Sequence, residues 1–387
     1  MSEVDVLVIG AGITGATAAL ALAEAGASVE VIDTYGPAAM ASGWTLADVR
    51  QSGRHPAELP LALAAVAQWP TLAEKLGAPT HYQQKGNLRL ARNDAEVEVI
   101  RKLVADQSAA GLDLTFLPTL TDVRKVAPAI SDKVIAASLC PTDGHADPVA
   151  TVTAFLAAAE RAGARLSFGE RVVSLEHEGS RITAAVTENR RIAAGAVLIA
   201  AGIHVNDLVG PLGGAIPLTV PIVTVVQTAP VAPTLEQVIG VANADLAVRQ
   251  EANGSFRLTS GRELFDGTLF TERGRPKALP RTDQVRHTIA KVASVIPAVG
   301  EAPFQAVWGG LLDVTPDSLP VIDHVPGIDN AVVCAGLSGH GFGIGPVTGP
   351  LAADLVLGRT PRLPLDAFRH SRLAALDPGA AELTLHG

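Results

Sequence analysis

The first 33 residues constrain the fold more than any other part of the chain. The apolar run DVLVIG has the pattern of a strand, AGITGATAALALAEAGA that of a helix, and SVEVID that of a second strand. Gly10, Gly12 and Gly15 form a GxGxxG pattern between the first strand and the helix. This order predicts a strand, a glycine turn, a helix and a parallel strand, the unit from which doubly wound α/β domains are built.

The same glycines predict a bound dinucleotide. The first glycine permits a tight turn, the second lets a pyrophosphate approach the N-terminus of the helix, and the third lets the helix pack closely on the strand. Asp33 ends the second strand at the distance expected of a residue that accepts hydrogen bonds from a ribose. A glycine turn without a ligand would make the position of Asp33 a coincidence. The pattern alone leaves NAD and FAD open.

Later segments favour FAD. The stretch AGAVLIAAG, residues 194–202, is a strand that runs into a turn of small residues, although taken alone it is better explained as a plain buried strand. The stretch AGLSGHGFGIGP places five glycines and His340 between a strand and a helix. Backbone N–H groups at the start of the helix after Gly345 could stabilise the negative edge of a reduced flavin, with His340 beside the ring or exposed in the turn. The sequence has no second GxGxxG to receive NAD(P)H.

Composition limits the other classes of function. The 387 residues carry a net charge of −9, with a pI near 5.6 and no block rich in Lys and Arg, which argues against nucleic acid. The N-terminus lacks a signal-peptide pattern, and no run of about 20 residues is continuously apolar, so we expect a cytoplasmic protein without an integral membrane segment. Cys140 and Cys334 lack metal-ligand spacing. They are predicted to be buried free thiols, and no metal site is expected.

The organisation of the chain predicts an α/β fold with two domains. Strand-like pieces punctuated by Pro and Gly fill residues 216–303, and α/β character returns near the C-terminus in NAVVCAG and PLAADLVLG. We therefore predict a discontinuous cofactor domain over residues 1–80, 140–215 and 305–387. A second, mostly antiparallel β domain that binds the substrate would take residues 81–139 and 216–304.

Five motifs in order resemble the D-amino-acid-oxidase-like family of FAD-dependent amine oxidoreductases. They are VIGAGITG with Asp33, ASGWTLADVRQSG, DGHADP, VWGGLLDVTPDSLPVID and SGHGFGIGP. The resemblance covers most of the chain and is strongest to the flavin-bearing β subunits of heteromeric enzymes that act on sarcosine, D-hydroxyproline or opines. It implies a Rossmann-like FAD-binding domain of the glutathione-reductase type. It also implies oxidation of a C–N bond next to a carboxylate, with hydride transfer from the α-carbon to flavin N5.

Three positions depart from the family pattern. Leu312 stands where glycine-oxidase-like members have an arginine that clamps the substrate carboxylate. Gly310 stands where monomeric sarcosine oxidases have the cysteine that attaches FAD, so the FAD is expected to be non-covalent. Gly343 stands where those enzymes have a lysine. Arg50 is the first candidate to hold the carboxylate instead, and Arg257 is the second.

The resemblance and the residue patterns together give a predicted site. The catalytic candidates are Arg50, His340 and Arg257, whereas His145 and Asp147 are predicted to cap the helix that follows them. The predicted cofactor-binding residues are Gly10, Gly12, Ile13, Thr14, Gly15, Asp33, Ser42, Val172, Ala201, Gly202, Gly310, Gly339, His340, Gly341, Phe342 and Gly343.

The leading functional hypothesis is an FAD-dependent oxidase or dehydrogenase of a small secondary amine or of a D-amino or D-imino acid. Small partner subunits or a homo-oligomer are possible assemblies. Two alternatives remain open from the sequence. One is a flavin-binding subunit that is non-catalytic or depends on a partner, because the usual arginine is replaced by Leu312. The other is an NAD-dependent dehydrogenase, which would leave the later glycine-rich segments without a role.

Overall fold

The computed structural model describes residues 2–376. Its strands, in chain order, are β1 (Ser2–Ile9), β2 (Val29–Asp33), β3 (Asp48–Val49), β4 (Asn87–Ala91), β5 (Thr115–Leu117), β6 (Ala136–Cys140), β7 (Gly144–His145), β8 (Arg165–Phe168), β9 (Val172–Glu178), β10 (Arg181–Thr187), β11 (Arg191–Ile199), β12 (Pro221–Thr228), β13 (Val238–Val241), β14 (Leu246–Gln250), β15 (Phe256–Leu264), β16 (Phe270–Glu272), β17 (Arg275–Lys277), β18 (Phe304–Leu311), β19 (Val321–His324) and β20 (Ala331–Ala335). The α-helices are α1 (Ile13–Glu24), α2 (Ala41–Trp44), α3 (Leu59–Val66), α4 (Trp69–Leu76), α5 (Asp94–Ala109), α6 (Leu120–Val126), α7 (Pro148–Arg161), α8 (Val205–Val209), α9 (Thr282–Val295), α10 (Ala298–Glu301) and α11 (Gly341–Val356).

The predicted strand–glycine–helix–strand unit lies at the centre of the first sheet. The strand order is β19-β20-β11-β1-β2-β8, and β1 pairs in parallel with both β2 and β11. Val8 lies opposite Val31 on one side and Leu198 on the other. Because neighbouring residues of a strand point to opposite faces, Val6 and Val8 pack on one face and Leu7 and Ile9 on the other. Both faces of β1 are thus buried, as expected for a parallel sheet.

Helices cover the two faces of this sheet. On one face α1 packs between α11 and α7, and α3 packs against α11. The other face is covered partly by α8, whose buried residues Val205, Leu208 and Val209 join the core there. This layering places the N-termini of α1 and α11 beside each other at the carboxyl ends of β1 and β20.

The second sheet is mostly antiparallel, as predicted. Its strand order is β18-β12-β15-β14-β13-β4-β6-β5, and only the β13–β4 pair is parallel among these neighbours. Helix α9 packs on β12, β14 and β15. The apolar core between them includes Val226, Phe256, Leu258 and Val292.

The proposed division into two domains remains a prediction, and its boundary at residue 305 can be placed on the sheets. Strand β18 belongs to the second sheet, although the division puts residues from 305 onward in the cofactor domain. The reason is a pairing at long range, since β18 forms a full antiparallel ladder with β12. Residues 377–387 of the predicted cofactor domain lie outside the described residues.

The close packing of α1 on α11 can be tested at Gly349. A Cβ at this position would lie 2.0 Å from Thr17 Oγ1 and 2.6 Å from the Ala18 amide nitrogen. Gly349→Ala is therefore expected to lower the free energy of unfolding by about 2 kcal/mol or more, because overpacking outweighs the better helix propensity of alanine. Urea unfolding followed by tryptophan fluorescence measures this change.

Gly210→Ala is the matched control. Gly210 has φ −59° and ψ −49°, in the right-handed helical region, and a Cβ added there would meet no atom within 4 Å outside its two chain neighbours. This variant is expected to change the free energy of unfolding by less than about 1 kcal/mol, because the gain through the unfolded state is opposed by the crowding that Pro211 imposes on the residue before it. Equal shifts of the two variants would show that the contact between α1 and α11 is not tight.

Candidate functional site

An elongated cavity extends from the N-terminus of α1 to the N-terminus of α11. Its walls come from the glycine turn after β1, the segment 38–54, the turn after β11 and the inner face of the second sheet. The predicted residues that line it are Gly10, Gly12, Ile13, Thr14, Asp33, Ser42, Arg50, Val172, Ala201, Gly202, Gly310, Gly339, Gly341 and Phe342. Four other predicted residues, Gly15, Arg257, His340 and Gly343, do not line this cavity.

At one end of the cavity, the glycine turn is held by contacts that require glycine. Gly10 has φ +113°, and a Cβ there would lie 2.3 Å from the Ala200 carbonyl oxygen. A Cβ at Gly15 would lie 1.9 Å from the Gly10 carbonyl oxygen, so Gly15 serves the packing of helix on strand. The hydroxyl of Ser42 accepts a hydrogen bond from the Ile13 amide at 2.9 Å. The start of α1 is therefore fixed in position beside the cavity.

Asp33 organises this end of the cavity. Its Oδ2 accepts a hydrogen bond from the Ala11 amide at 2.8 Å, and its Oδ1 accepts from the amides of Tyr35 and Gly36. The sequence predicts a ribose contact for Asp33, whereas these bonds show that it also ties the glycine turn to the loop after β2. A carboxylate has acceptor positions for both roles.

At the other end, α11 begins at Gly341, whereas the sequence predicts a start after Gly345. Gly339 and Gly341 line the cavity. The glycines that follow approach neighbouring segments instead: a Cβ at Gly343 would lie 2.9 Å from the Asp48 carbonyl oxygen, and one at Gly345 would lie 2.3 Å from Ile13 Cγ1. The glycine run therefore serves two purposes, an open helix N-terminus at the cavity and close packing behind it.

Asp313 supports the loop that leads into α11. Its Oδ2 accepts a hydrogen bond from the Gly336 amide at 2.7 Å, and its backbone carbonyl accepts from the Ser338 amide. Burial raises the pKa of Asp313 to about 6. Asp313 follows Leu312, and both line the cavity.

A cluster of buried charges lies beside the start of α11. Arg50 and Arg54 line the cavity and are 3% and 4% exposed. Arg50 Nη1 donates to the Ser52 carbonyl at 3.1 Å, and the Ser52 hydroxyl donates to Asp143 Oδ2 at 2.5 Å. Burial lowers the pKa of Arg50, and the like charges of Arg54 and Arg89 lower it further. Three arginines therefore lie close together here, and Asp48 and Asp143 compensate part of their charge.

Arg54 is a site residue that the sequence does not reveal. Its Nε lies 3.5 Å from Glu58 Oε1, and its Nη1 is buried without a hydrogen-bond partner in the described part of the chain. The one available signal is the spacing of Arg50, Arg54 and Glu58 at intervals of four residues, although the segment 50–58 is not a continuous helix. A buried arginine that lines a cavity and has a guanidinium nitrogen without an acceptor is suited to an anionic ligand.

Asp48 is the second residue that the sequence does not reveal. It lines the cavity, and its Oδ1 is buried and accepts no hydrogen bond from residues 2–376. Burial raises the pKa of Asp48, while the charges of Arg50 and Arg249 oppose that rise. A carboxyl in this environment takes up a proton more readily than an exposed one.

His340 lies behind the cavity and does not line it, whereas the sequence predicts it beside the flavin ring or exposed in the turn. The side chain is 1% exposed, and its Nδ1 lies 2.9 Å from Glu58 Oε2. Burial and the nearby charge of Arg54 lower the pKa of His340, so the neutral ring donates its Nδ1–H to the carboxylate. His340 therefore contacts Glu58, the carboxylate that pairs with Arg54.

Arg257 also lies outside the cavity lining. Its Nη1 donates to the Thr45 carbonyl at 2.9 Å, its Nε lies 2.8 Å from Glu251 Oε1, and its guanidinium stacks over the Trp308 ring at 5.3 Å. The predicted catalytic arginine is thus a residue that holds the segment near Thr45, and that segment forms part of the cavity wall.

His145 and Asp147 have different roles, although the sequence predicts that both cap α7. The Asp147 carboxylate accepts a hydrogen bond from the Ala150 amide at 2.7 Å, as predicted for an N-cap. His145 Nδ1 instead accepts from Arg249 Nη1 at 2.8 Å. Burial, together with the charges of Arg249 and Arg257, lowers the pKa of His145 to about 3. The ring is therefore neutral in the folded protein.

This environment of His145 predicts a loss of stability in acid. The unfolded chain binds a proton at His145 below its ordinary pKa of 6.5, whereas the folded chain does so only near pH 3. The stabilising contribution is complete above pH 6.5 and is lost as the pH falls towards 3. Between neutral pH and about pH 5 the loss is about 2 kcal/mol, and His145→Gln, which keeps an acceptor for Arg249, should remove it. Urea unfolding of both proteins at the two pH values measures this difference.

His287→Gln is the control for this experiment, because His287 is an exposed histidine on α9. It should leave the pH dependence unchanged. If the free-energy difference between His145→Gln and the parent is the same at both pH values, the folded protein protonates His145 normally and the assignment is wrong.

Comparison with known protein families identifies the cofactor class. A family described as FAD dependent oxidoreductase matches residues 5–355, which include both sheets and the cavity. The chain belongs to the FAD-dependent oxidoreductase family. This confirms the resemblance seen in the five motifs and establishes FAD as the cofactor, so the NAD-dependent alternative is excluded.

Individual relatives are similar to this chain in sequence and in fold. A D-amino acid dehydrogenase of Methylobacterium radiotolerans is 28% identical over 316 residues, which are 79% of this chain and 71% of that protein. Glycine oxidase of Geobacillus kaustophilus is 27% identical over 95% of this chain and 97% of its own length. The crystal structure of L-proline dehydrogenase from P. horikoshii matches with a TM-score of 0.88 at 26% identity, covering 97% of this chain and 98% of that one. The predicted fold class is confirmed.

The residues of this FAD-dependent oxidoreductase fit the cofactor. The N-terminus of α1, with Gly12 as its N-cap and no side-chain cap, faces the cavity and suits a pyrophosphate. The N-terminus of α11 lines the other end and suits the negative edge of the isoalloxazine ring. A Cβ at Gly12 would lie 3.1 Å from Ser42 Oγ and would narrow the space for the pyrophosphate at the N-terminus of α1.

Other predicted features concern thiols, metals and membranes. Cys140 and Cys334 are buried free thiols, as predicted. Within the described range, His, Cys, Asp and Glu side chains form no group of three or more that could hold a metal ion. None of the described helices combines the length and the hydropathy that a bilayer crossing requires.

Proposed function

We propose that this enzyme oxidises the C–N bond of a small secondary amine or amino acid that carries an α-carboxylate, of the sarcosine, D-proline, D-hydroxyproline or opine type. The observation that carries the proposal is Arg54, a buried arginine at the cavity whose Nη1 lacks an acceptor among the described residues. Arg54 and Arg50 together offer a cationic place for one carboxylate. The names of the relatives, which are dehydrogenases and oxidases of amino acids, support this substrate class.

The position of the arginine pair determines how a substrate would lie. A Cβ at Gly343 would be 3.7 Å from the Arg50 amide nitrogen, so the arginine segment adjoins the start of α11. A substrate held there by its carboxylate would present its α-carbon towards the place that suits the isoalloxazine ring. The bound FAD supplies the hydride acceptor. The arginine pair therefore takes over the role expected of an arginine at Leu312.

The opposite wall of the cavity is apolar. Val223, Val225 and Ala247 contribute side chains from β12 and β14, and Thr259 contributes one from β15. Such a wall would hold the apolar part of a substrate and keep water from the reacting carbon.

Asp48 would complete the site. The substrate amine must be neutral before its α-carbon can release a hydride, so one proton has to leave the ammonium group. Asp48 lies in the same lining as Arg50, and its raised pKa favours uptake of that proton. The carboxylate of Asp48 thereby becomes a neutral carboxyl, and the amine keeps its electron pair.

Anaerobic titration tests this function. The purified holoenzyme is mixed with sarcosine, D-proline, cis-4-hydroxy-D-proline, octopine, glycine and D-alanine, while the visible absorption band of the flavin is followed. Bleaching by one of these compounds supports the proposal, and admission of air then separates an oxidase from a dehydrogenase. A flavoprotein that none of them reduces would favour the second candidate, a flavin-binding subunit that is non-catalytic or requires a partner, which the sequence suggests through Leu312.

The arginine assignment gives a separate prediction. Arg54→Met should lower kcat/KM for the carboxylate-bearing substrate by about 100-fold, because the substrate carboxylate would be desolvated without its charged partner. It should have little effect on the corresponding amine that lacks the carboxylate. Stopped-flow reduction of the flavin by the two compounds measures both values.

Arg124→Met is the matched control. Arg124 is an exposed arginine of α6 whose Nε donates to the Ile130 carbonyl at 2.9 Å, and it does not line the cavity. It should leave the preference for the carboxylate unchanged. An equal loss of activity towards both compounds in Arg54→Met would contradict a role of Arg54 in binding the carboxylate.

A further inference from the structure

Three buried side chains connect the cavity with the start of α11. Arg54 borders the cavity, Glu58 lies behind it, and His340 lies behind Glu58. The Arg54 Nε to Glu58 Oε1 distance is 3.5 Å, and the Glu58 Oε2 to His340 Nδ1 distance is 2.9 Å. The side chains of Glu58 and His340 are 0% and 1% exposed. His340 is the N-cap residue of α11, which begins with Gly341.

We propose that Glu58 is a positioning residue that, together with His340, holds Arg54 in place for the substrate carboxylate. The inference rests on the proposed function, because it assumes that Arg54 binds that group. In this arrangement neither Glu58 nor His340 touches the substrate. Glu58 fixes the direction of the guanidinium, and His340 fixes Glu58 relative to α11, whose N-terminus lines the cavity.

The charge balance favours this role. Burial opposes ionisation of Glu58, but the hydrogen bond with His340 and the charge of Arg54 hold the pKa of Glu58 below its ordinary value. Glu58 is thus an ionised carboxylate buried beside an ionised guanidinium. A buried charge that loses its partner is strongly destabilised, so the two side chains restrain each other.

The geometry leaves Arg54 available to a ligand. Its contact with Glu58 is a side-by-side ion pair at 3.5 Å, and Glu58 Oε1 makes no hydrogen bond to any described residue. Arg54 Nη1 likewise lacks an acceptor in residues 2–376. Glu58 therefore neutralises and orients the guanidinium without occupying Nη1.

The backbone around Glu58 makes the support rigid. Glu58 is the N-cap of α3, and its amide donates to the His55 carbonyl at 2.9 Å. Helix α3 packs against α11, which carries His340 at its N-terminus. Both ends of the Glu58–His340 hydrogen bond are thus fixed by packed helices, and this is the arrangement required of groups that position a binding residue.

The experiment measures binding rather than turnover. Pyrrole-2-carboxylate, which carries the carboxylate but cannot be oxidised in the same way, is titrated into the holoenzyme, and its Kd is taken from the change in the flavin spectrum. The variants are Glu58→Gln, Arg54→Met and the double variant. Glu96→Gln is the control, since Glu96 is a buried carboxylate paired with Arg92 at the same four-residue spacing but away from the cavity.

The expected result is a Kd raised about tenfold in Glu58→Gln, with the rate of flavin reduction at saturating substrate nearly unchanged. Glu96→Gln should bind the probe as the parent does. In the double variant, Kd should equal that of Arg54→Met alone, because Glu58 acts only through Arg54. If Glu58→Gln caused a general structural defect, the flavin content and the reduction rate would fall together. In the double variant, the increases in Kd caused by the two substitutions would then multiply.

Two results overturn the inference and can be told apart. If Arg54→Met raises Kd but Glu58→Gln does not, the positioning role is wrong and the proposed function stands. If Arg54→Met leaves Kd unchanged, the carboxylate site itself is wrong, and the inference falls with it.

Variants of His340 decide the case in which Glu58→Gln does not fold. His340→Asn places an amide N–H near the position of Nδ1 and should keep the parental Kd, whereas His340→Leu removes the donor and should raise Kd several-fold. Equal Kd values for these two variants would show that the hydrogen bond between Glu58 and His340 does not support Arg54.

Discussion

The close contact of α1 with α11 determines the rest of the structure. The two helices meet where a Cβ on Gly345 or Gly349 would overlap Ile13 or Thr17, and the Thr17 hydroxyl donates to the Gly345 carbonyl at 2.9 Å. This contact brings two helix N-termini to one cavity. The first N–H groups of a helix have no partner within the helix and carry partial positive charge, so the two N-termini together favour a ligand with negative charge at two places. FAD has this distribution of charge, and the packing of small residues is therefore as much a cofactor requirement as a folding requirement.

A second constraint follows from the buried charges beside α11. Arg50, Arg54 and Arg89 are each less than 10% exposed, and Asp143 and Glu58 lie among them. Burial lowers the pKa of Arg89 to about 10, and the like charge of Arg54 contributes to this shift. Such a cluster costs stability unless its charges are paired. The position of this cluster at the cavity is understandable if a substrate carboxylate completes the pairing, because the same arrangement would then disfavour amines that lack a carboxylate.

Much of the cofactor end could be predicted from the sequence, because its determinants are local. Gly15 lies against the Gly10 carbonyl, and Asp147 caps the helix that it precedes. Asp33 binds the nearby amides of Tyr35 and Gly36, and its bond to Ala11 stays within the strand–helix–strand unit. Backbone geometry fixes these contacts once the strand and the helix form. The start of α11 lies five residues before the predicted one, which follows Gly345. Glycines predict a turn, whereas here they form the first turn of a helix packed on Asp48 and Ile13.

The substrate end could not be predicted in the same way. The contact of His340 with Glu58 joins residues 282 positions apart, and that of Arg249 with His145 joins residues 104 positions apart. A sequence pattern does not show which residue a buried histidine contacts. The glycines around His340 therefore suggest the flavin as its neighbour, and the contact with Glu58 is missed. Likewise, the strand that carries Arg257 predicts a position beside the flavin for this residue. In the structure, the Arg257 guanidinium contacts Glu251 and the Thr45 carbonyl instead.

Leu312, at the position where an arginine is expected, shows how long-range contacts determine which side of the cavity carries positive charge. Leu312 packs beside Gly339, where an added Cβ would lie 3.5 Å from Leu312 Cδ1, so this side of the cavity is closed by apolar packing. The positive charge lies instead on the segment after β3, where Arg50 and Arg54 are supported by Asp143 and Glu58. A carboxylate can be held from either side of a cavity provided that the charge is rigid and its counter-charge is buried. Loss of the familiar arginine is therefore no evidence for loss of catalysis in this chain.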